Sequence, residues 1–178
     1  VKWFRPTKLK QLLDFKKQNN SAKAVAGNTE VGIEVKFKNF DYKFLINVSQ
    51  VRELNSIELL EDGIKFGAAV TLTDMRNTLK HQIDTLPEHE TRIYQSIDNM
   101  MNYFSSQQTR NVASAGGSIM TASPISDLNP IFLAASVELE VESVDGGIRR
   151  LKMDENFFTG YRTNTIKSDE ILLSIFIP

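Results

Sequence analysis

Apolar residues recur three and four positions apart at Leu9, Leu12 and Leu13, with Lys16 on the next turn. That spacing predicts a helix, capped by Thr7 and ending near Asn19-Asn20. Before it, Val1 to Phe4 reads as a short edge strand stopped by Pro6. After it, Lys23 to Ala26 reads as a brief strand of small residues, Ile33 to Phe37 alternates in part and reads as extended, and Phe44 to Val48 reads as a buried strand. Val51 to Asn55 is a turn or short helix. Ile57 to Leu60 and Ile64 to Ala69 form a hairpin around Glu61-Asp62-Gly63. Thr73 is placed to cap a helix with Met75, Leu79 and Ile83 on its inner face, ending before Pro87. From Arg92 to Gln107, the positions of Ile93, Ile97, Met100, Met101 and Phe104 predict another helix.

The pattern then breaks. Asn111 to Pro130 reads NVASAGGSIMTASPISDLNP, with paired glycines, five hydroxyl residues, Ile119 and Met120 as apparently buried positions, one acid and two prolines. Ser118 to Thr121 reads as one extended segment, Ser123-Pro124 as a turn, and Asn129-Pro130 as the start of a helix running to Ala135. Val137 to Val144 and Ile148 to Lys152 form a hairpin around Asp145-Gly146-Gly147, and Glu170 to Ile177 is a final apolar strand. The sum is an α+β chain with a small α/β lobe at residues 1–54 and a second α+β lobe at 55–178.

Of the 178 residues, 41% are hydrophobic, enough for a real core. Lys+Arg 21 against Asp+Glu 22 leaves a formal net charge of -1, so no electrostatic pull toward nucleic acid or anionic membrane is expected. No apolar run spans a bilayer, and no signal-like start is present. With no cysteine, the chain builds neither disulfides nor an iron–sulfur cluster of its own. His81 and His89 lie in polar sequence and read as surface groups. The start at Val1 without methionine and the stop at Pro178, directly after a strand, suggest a segment of a longer polypeptide.

Candidate chemistry lies in two glycine-bearing loops. Gly27-Asn28-Thr29-Glu30-Val31-Gly32 follows a strand, as anion-cradling turns do, yet it carries neither the G-x-G-x-x-G signature nor a P-loop ending, and an ordinary turn has the same composition. The second loop delivers Ser114, Thr121, Ser123 and Asp127 beside backbone amides. That set suits a phosphate or ribityl chain and contains no nucleophile–base pair. Asp127 lacks a second metal ligand and could equally cap a turn. Phe104 could face a planar ligand, and Arg110 an anion or a helix end.

These residues carry a family resemblance. AGNTEVGIEVKFKN from Ala26 to Asn39, NVASAGGSIMTASPISDLNP, FFTGYR from Phe157 to Arg162 and EILLSIFIP at the end, with Trp3 and the Leu12-Leu13-Asp14 helix, occur in matching order over essentially all 178 residues. The chain resembles the FAD-binding domain of the molybdenum hydroxylases, of the PCMH and CO-dehydrogenase flavoprotein type, and most closely the xanthine dehydrogenase/oxidase branch. The resemblance implies that Ala24, Val25, Ala26, Gly27, Asn28, Thr29, Glu30, Val31 and Gly32 wrap the pyrophosphate and ribityl portion of FAD. It implies that Phe104 packs on the flavin ring, that Ser114, Gly116, Gly117, Ser118, Thr121, Ser123 and Asp127 complete the site, and that Ile171 or Leu172 borders it. No catalytic residue or metal ligand is implied here.

By the same resemblance, a C-terminal subdomain that closes over the flavin follows Pro178, two [2Fe-2S] clusters lie in a domain before Val1, and Mo-molybdopterin lies in a domain beyond Pro178. Electrons pass from the clusters through FAD to NAD or dioxygen, in a homodimeric purine-oxidising enzyme of the cytoplasm or peroxisome. Aldehyde oxidase is the alternative within the family, and the run Thr121-Ala122-Ser123-Pro124-Ile125 favours the xanthine branch. Two departures stand out: Ser118 replaces the usual Asn after the glycine pair, and Ser105-Ser106 replaces a small Ala-Gly pair beside Phe104.

Overall fold

Parallel strands cannot be joined by a tight turn, so the first strands of the chain need helices to carry it back. In the computed structural model, which describes residues 1–178, β1 (Lys2–Phe4), α1 (Leu9–Gln18), β2 (Lys23–Val25), α2 (Val31–Lys38) and β3 (Phe44–Asn47) alternate in that way. The strands form a parallel sheet in the order β1-β3-β2. Lys16 closes α1 onto the approach to β2, donating its Nζ to the carbonyls of Asn20 (2.8 Å) and Ala22 (2.7 Å). Burial, then the nearby charge of Lys23, pulls its pKa down to about 8.

A short 3₁₀ turn (Arg52–Asn55) leads to the second sheet. Its strands are β4 (Ile57–Leu60), β5 (Gly63–Gly67), β6 (Glu138–Ser143), β7 (Gly147–Lys152) and β8 (Ile171–Ile177). They are antiparallel in the order β4-β5-β8-β6-β7. One face packs on α3 (Leu72–Thr85), α4 (Glu88–Met101) and α7 (Asn129–Ala134), burying Ile64, Phe66, Leu139, Val141, Ile175 and Ile177 against Met75, Leu79, Ile97, Met101 and Phe132. The last strand in sequence is therefore central in space. Between Ser174, opposite Glu140, and Leu172, opposite Val141, the register slips at Leu173. The bulge turns the strand over. Leu172, Ile175 and Ile177 enter the large core, while Ile171 and Leu173 join Leu12, Leu13, Ile46, Val48 and Leu54 in the core of the small sheet.

Several sequence expectations are corrected. Thr7 does not cap α1: its N–H instead donates to Gln11 Oε1 (3.1 Å), and Lys8 is the capping position without a side-chain bond. Ile33 to Phe37 is helical, not extended. The apolar residues that alternate there point outward, and α2 buries Val31 and Glu34. Thr71, not Thr73, caps α3. Its Oγ1 accepts from Asp74 N–H (3.1 Å), whereas the Thr73 hydroxyl is spent on Asn111 Oδ1 (2.7 Å).

The helix expected over Arg92 to Gln107 starts earlier and stops at Met101. A left-handed residue at Ser105 then breaks the chain before the short α5 (Gln107–Arg110). Ser118 to Thr121 is not extended either. It belongs to α6 (Ala115–Thr121), which Ser114 caps through a 3.1 Å bond from Gly117 N–H. Helical turning buries Ile119 and leaves Met120, expected inside, 39% exposed.

Candidate functional site

The end of β2 and the start of α6 meet across a cleft of about 530 Å³. The contact that fixes their spacing is Gly27. A Cβ there would lie 1.9 Å from the Val112 carbonyl oxygen, so only glycine lets the first loop pack on the backbone leading to Ser114. From that contact the loop rises along one wall of the cleft. Asn28 adopts a left-handed φ of 59°, its carbonyl accepts Gly32 N–H (3.2 Å), and the chain enters α2. None of the backbone N–H groups from Gly27 to Val31 has an acceptor within the protein. Accessible amides of that kind are left to water or to a ligand, and consecutive ones suit an anion.

The opposite wall is α6 and the loop after it. Gly117 opens on the cleft, and a Cβ there would meet only Ser114 Oγ, at 3.3 Å. The neighbouring glycine serves the fold: a Cβ on Gly116 would stand 2.3 Å from the Ala68 carbonyl oxygen, in the first residues after β5. Ser118 has only a long contact of its own, from its hydroxyl to the Ser114 carbonyl (3.5 Å), so its donor is available to the cleft. Ser123 and Ser126 turn the loop by accepting from Ile125 N–H (3.4 Å) and Asn129 N–H (3.3 Å). Phe104 closes one end. Its backbone is held by Arg110, whose Nη1 donates to the carbonyls of Phe104 (2.7 Å) and Ser105 (2.9 Å). Arg110 is thus a brace for the turn, and its guanidinium is not aimed at an anion.

Of the residues singled out from sequence, Ala24 to Val31, Phe104, Ser114, Gly117, Ser118, Thr121, Ser123 and Asp127 line this one cleft. Four do not. Gly116 packs on Ala68, and Gly32 makes room for the Asn28 side chain, whose Nδ2 lies 3.2 Å from where a Cβ would sit. Ile171 and Leu172 are buried in the small and large cores, on the two sides of β8. Sequence reasoning missed Lys23, Ser105, Thr109, Ala113, Met120, Ile125 and Ser126 on the lining. Period 3.6 through residues 113–121 would have turned Ala113, Gly117 and Met120 to the same side, had that stretch been read as helical.

Two carboxylates stand on the lining, Glu30 and Asp127, with Lys23 as the one cation. Glu30 is neutralised from outside, its Oε1 accepting from Arg162 Nη1 (2.7 Å) and Lys38 Nζ (3.2 Å). Burial alone would push its carboxyl up, but these bonds outweigh it and hold it below the usual range. No group of His, Asp and Glu is arranged to hold a metal ion. No serine of the cleft has a histidine to activate it: His81 on α3 and His89 on α4 are exposed and not on the lining. The cleft's glycines, hydroxyls and free amides suit binding and orienting a ligand.

Comparison with known proteins agrees with that chemistry. All of residues 1–178 match the family described as the FAD binding domain in molybdopterin dehydrogenase. The chain is 49% identical to xanthine dehydrogenase of Calliphora vicina over 99% of its length, and 51% identical to that of Drosophila pseudoobscura pseudoobscura over 98%. It spans 13% of the length of each. A solved structure of carbon monoxide dehydrogenase from Hydrogenophaga pseudoflava superposes with a TM-score of 0.88 over the whole chain and 58% of the matched one, at 18% identity. The fold is the one that the sequence resemblance implied. The run of free amides and the Gly117 recess, which a side chain would fill, fit a dinucleotide whose pyrophosphate needs donors and whose rings need flat, apolar contact. The chain belongs to the FAD-binding domain family of the molybdopterin dehydrogenases.

Proposed function

We propose that the cleft between β2 and α6 holds FAD, with the pyrophosphate against the amides of Gly27 to Val31, the hydroxyls of Ser114, Ser118, Thr121 and Ser123 around the ribityl and phosphate oxygens, and Phe104 against the flavin. The observation that carries this is the row of unpartnered N–H groups in the same cleft lining as a glycine that has nothing but Ser114 Oγ before it. FAD when bound supplies the redox chemistry, taking up and giving out electrons. The chain's own residues bind it, orient it and shield it. In this proposal residues 1–54 and 55–178 are two lobes of one unit, with the cofactor seated between them.

The relay that follows is part of the same proposal. Two [2Fe-2S] clusters in the longer protein deliver electrons to the bound cofactor, which passes them to NAD or dioxygen. A molybdopterin centre elsewhere in that protein, a homodimer of the cytoplasm or peroxisome, oxidises hypoxanthine and xanthine to urate. The identity of 49% and 51% to two xanthine dehydrogenases supports the purine reading over an aldehyde one. The test is made on the full-length protein. FAD is expected on extraction, together with xanthine-dependent reduction of NAD or dioxygen. A preparation that folds and carries no flavin would overturn the cleft assignment. One that carries flavin and turns over aldehydes but no purine would keep the cleft and replace the substrate.

A further inference from the structure

Arg162 stands in the loop between β7 and β8 with a φ of 56°, a left-handed conformation that costs any residue with a Cβ. Something must hold it there, and what it reaches lies 132 residues away in sequence. Its Nη1 donates to Glu30 Oε1 at 2.7 Å and lies 3.7 Å from Glu34 Oε1. Glu34 is buried at 6% exposure, although it lies on a helix whose Ile33, Val35 and Phe37 face solvent. The other oxygen of Glu34 accepts the Tyr42 hydroxyl at 2.5 Å, so the carboxylate is fixed before Arg162 meets it. Thr159 and Thr163 brace the loop on the other side through a 3.2 Å bond between Thr159 N–H and the Thr163 carbonyl.

The geometry points to Arg162 as a positioning residue for the cofactor: it latches the Gly27–Glu30 loop to the β7–β8 loop, sets the width of the cleft, and cancels the Glu30 charge where an anionic pyrophosphate arrives. This deepens the FAD reading above and rests on it. Without Arg162, Glu30 would keep only Lys38, 3.2 Å away, so less of its charge would be offset against the phosphates, and a loop tied down only at Gly27 would keep its amides in place less tightly. Arg162 performs both tasks without touching the cleft, whose lining does not include it.

In the full-length FAD-loaded protein, Arg162→Asn removes the guanidinium and keeps a residue tolerant of left-handed backbone. Flavin release on dilution is expected to quicken about fivefold, the scale of one partly exposed ion pair. Arg162→Lys should recover part of the loss, and raised salt should quicken wild-type release more than that of the variant. Glu30→Gln combined with Arg162→Asn should release flavin no faster than Arg162→Asn alone, because the two side chains act as a pair. Release at the wild-type rate in Arg162→Asn, or additive effects in the double variant, would overturn the latch. If Arg162→Asn fails to fold, Arg162→Lys takes its place in the same cycle, and additivity still overturns it. Gly117→Val separates this from the cleft reading. Full flavin content in that variant removes the site itself, whereas flavin lost there and held normally in Arg162→Asn removes the latch alone.

Discussion

Three glycines near the cleft share a residue type and differ in what their missing side chain leaves free. Gly27 leaves room for the backbone of Val112 and Gly116 for that of Ala68, while Gly117 leaves room for nothing in the protein except Ser114 Oγ. The fold should therefore tolerate Gly117→Val, because valine and glycine differ by only about 0.5 kcal/mol inside a helix. Flavin uptake should be lost in that variant, read as bound FAD per chain. Gly116→Val should instead lower stability by about 3 kcal/mol or more through the clash with Ala68, read by urea unfolding of the flavin-free protein. Equal loss of stability in the two variants would make Gly117 a structural glycine too. The composition of Asn111 to Pro130 marked this segment as special without dividing these roles. Both glycines sit side by side in an Ala-Gly-Gly-Ser run, and only their tertiary neighbours tell them apart. The cap of α3 was misplaced at Thr73 because a threonine just before a helical pattern looks like a cap whatever it bonds. Thr71 is the cap because Asp74 stands three residues on, with its N–H bonded to Thr71 Oγ1 and its carboxylate accepting from that hydroxyl.

Elements were legible where apolar period or turn chemistry marked them in the chain. The hairpins β4–β5 and β6–β7, helix α3 and the final strand follow from period and turn chemistry alone. Two elements failed for opposite reasons. In α2 the apolar residues face outward and a glutamate faces in, so the period seen in sequence was that of the exposed side. In α6 the paired glycines argue against a helix by about 1 kcal/mol each, and the Ser114 cap and close packing on Ala68 offset that cost. The break between α4 and α5 is held by a side chain from beyond it. Arg110 donates to the carbonyls of Phe104 and Ser105 and, at 3.2 Å, to Gln107 Oε1. Replacing it by Met should destabilise the chain by about 1–2 kcal/mol, since the partly buried Phe104 carbonyl and the exposed Ser105 carbonyl lose a charged donor. Arg110→Lys should recover little of this, because one ammonium cannot reproduce the fork. Hydrogen exchange is the measurement: faster exchange confined to residues 103–109 is expected, with α4 unchanged, and a uniform increase would contradict the bracing role.

A second ion pair ties whole segments together and gives the molecule an acid limit. Glu170, 6% exposed at the start of β8, accepts from Arg149 Nε (2.9 Å) and Nη2 (2.7 Å) on β7, and from Lys167 N–H (2.7 Å). Burial works to raise its pKa, but the Arg149 and Lys167 bonds outweigh it and the carboxyl titrates below its usual range. A carboxylate depressed in this way contributes stability that is complete above its unfolded value and is lost as pH falls through the folded one. Glu170→Gln should cost about 1–3 kcal/mol near neutral pH, discounted because the Arg149 side chain is 35% exposed. The gap between variant and wild type should close as pH drops below the ordinary glutamate range of about 4.3. Denaturant unfolding at neutral and acid pH tests this, and a gap that persists in acid would remove the linkage.

The two sheets are joined by more than the cleft. The bulge at Leu173 gives β8 a side in each core, so the small parallel sheet buries Leu12, Ile46 and Leu54 against residues from the end of the chain. A parallel three-stranded sheet with two short helices has little apolar surface of its own, so its stability is expected to depend on the larger antiparallel sheet and its helices. Loss of either lobe should therefore carry the other with it. Trp3, the single tryptophan, lies on β1 at the edge of the small sheet, while far-ultraviolet circular dichroism reports mainly the helices and sheet of the large one. Urea unfolding of the flavin-free chain followed by tryptophan fluorescence and by circular dichroism should give coincident transitions. Leu173→Ala, which empties part of the shared core, should shift both together by about 2–4 kcal/mol. A tryptophan transition that comes first in the wild type, or that moves alone in the variant, would mean the small lobe folds and fails by itself. The cleft would then be a gap between two independent bodies, with its width set by the Gly27 contact and the Arg162–Glu30 pair alone.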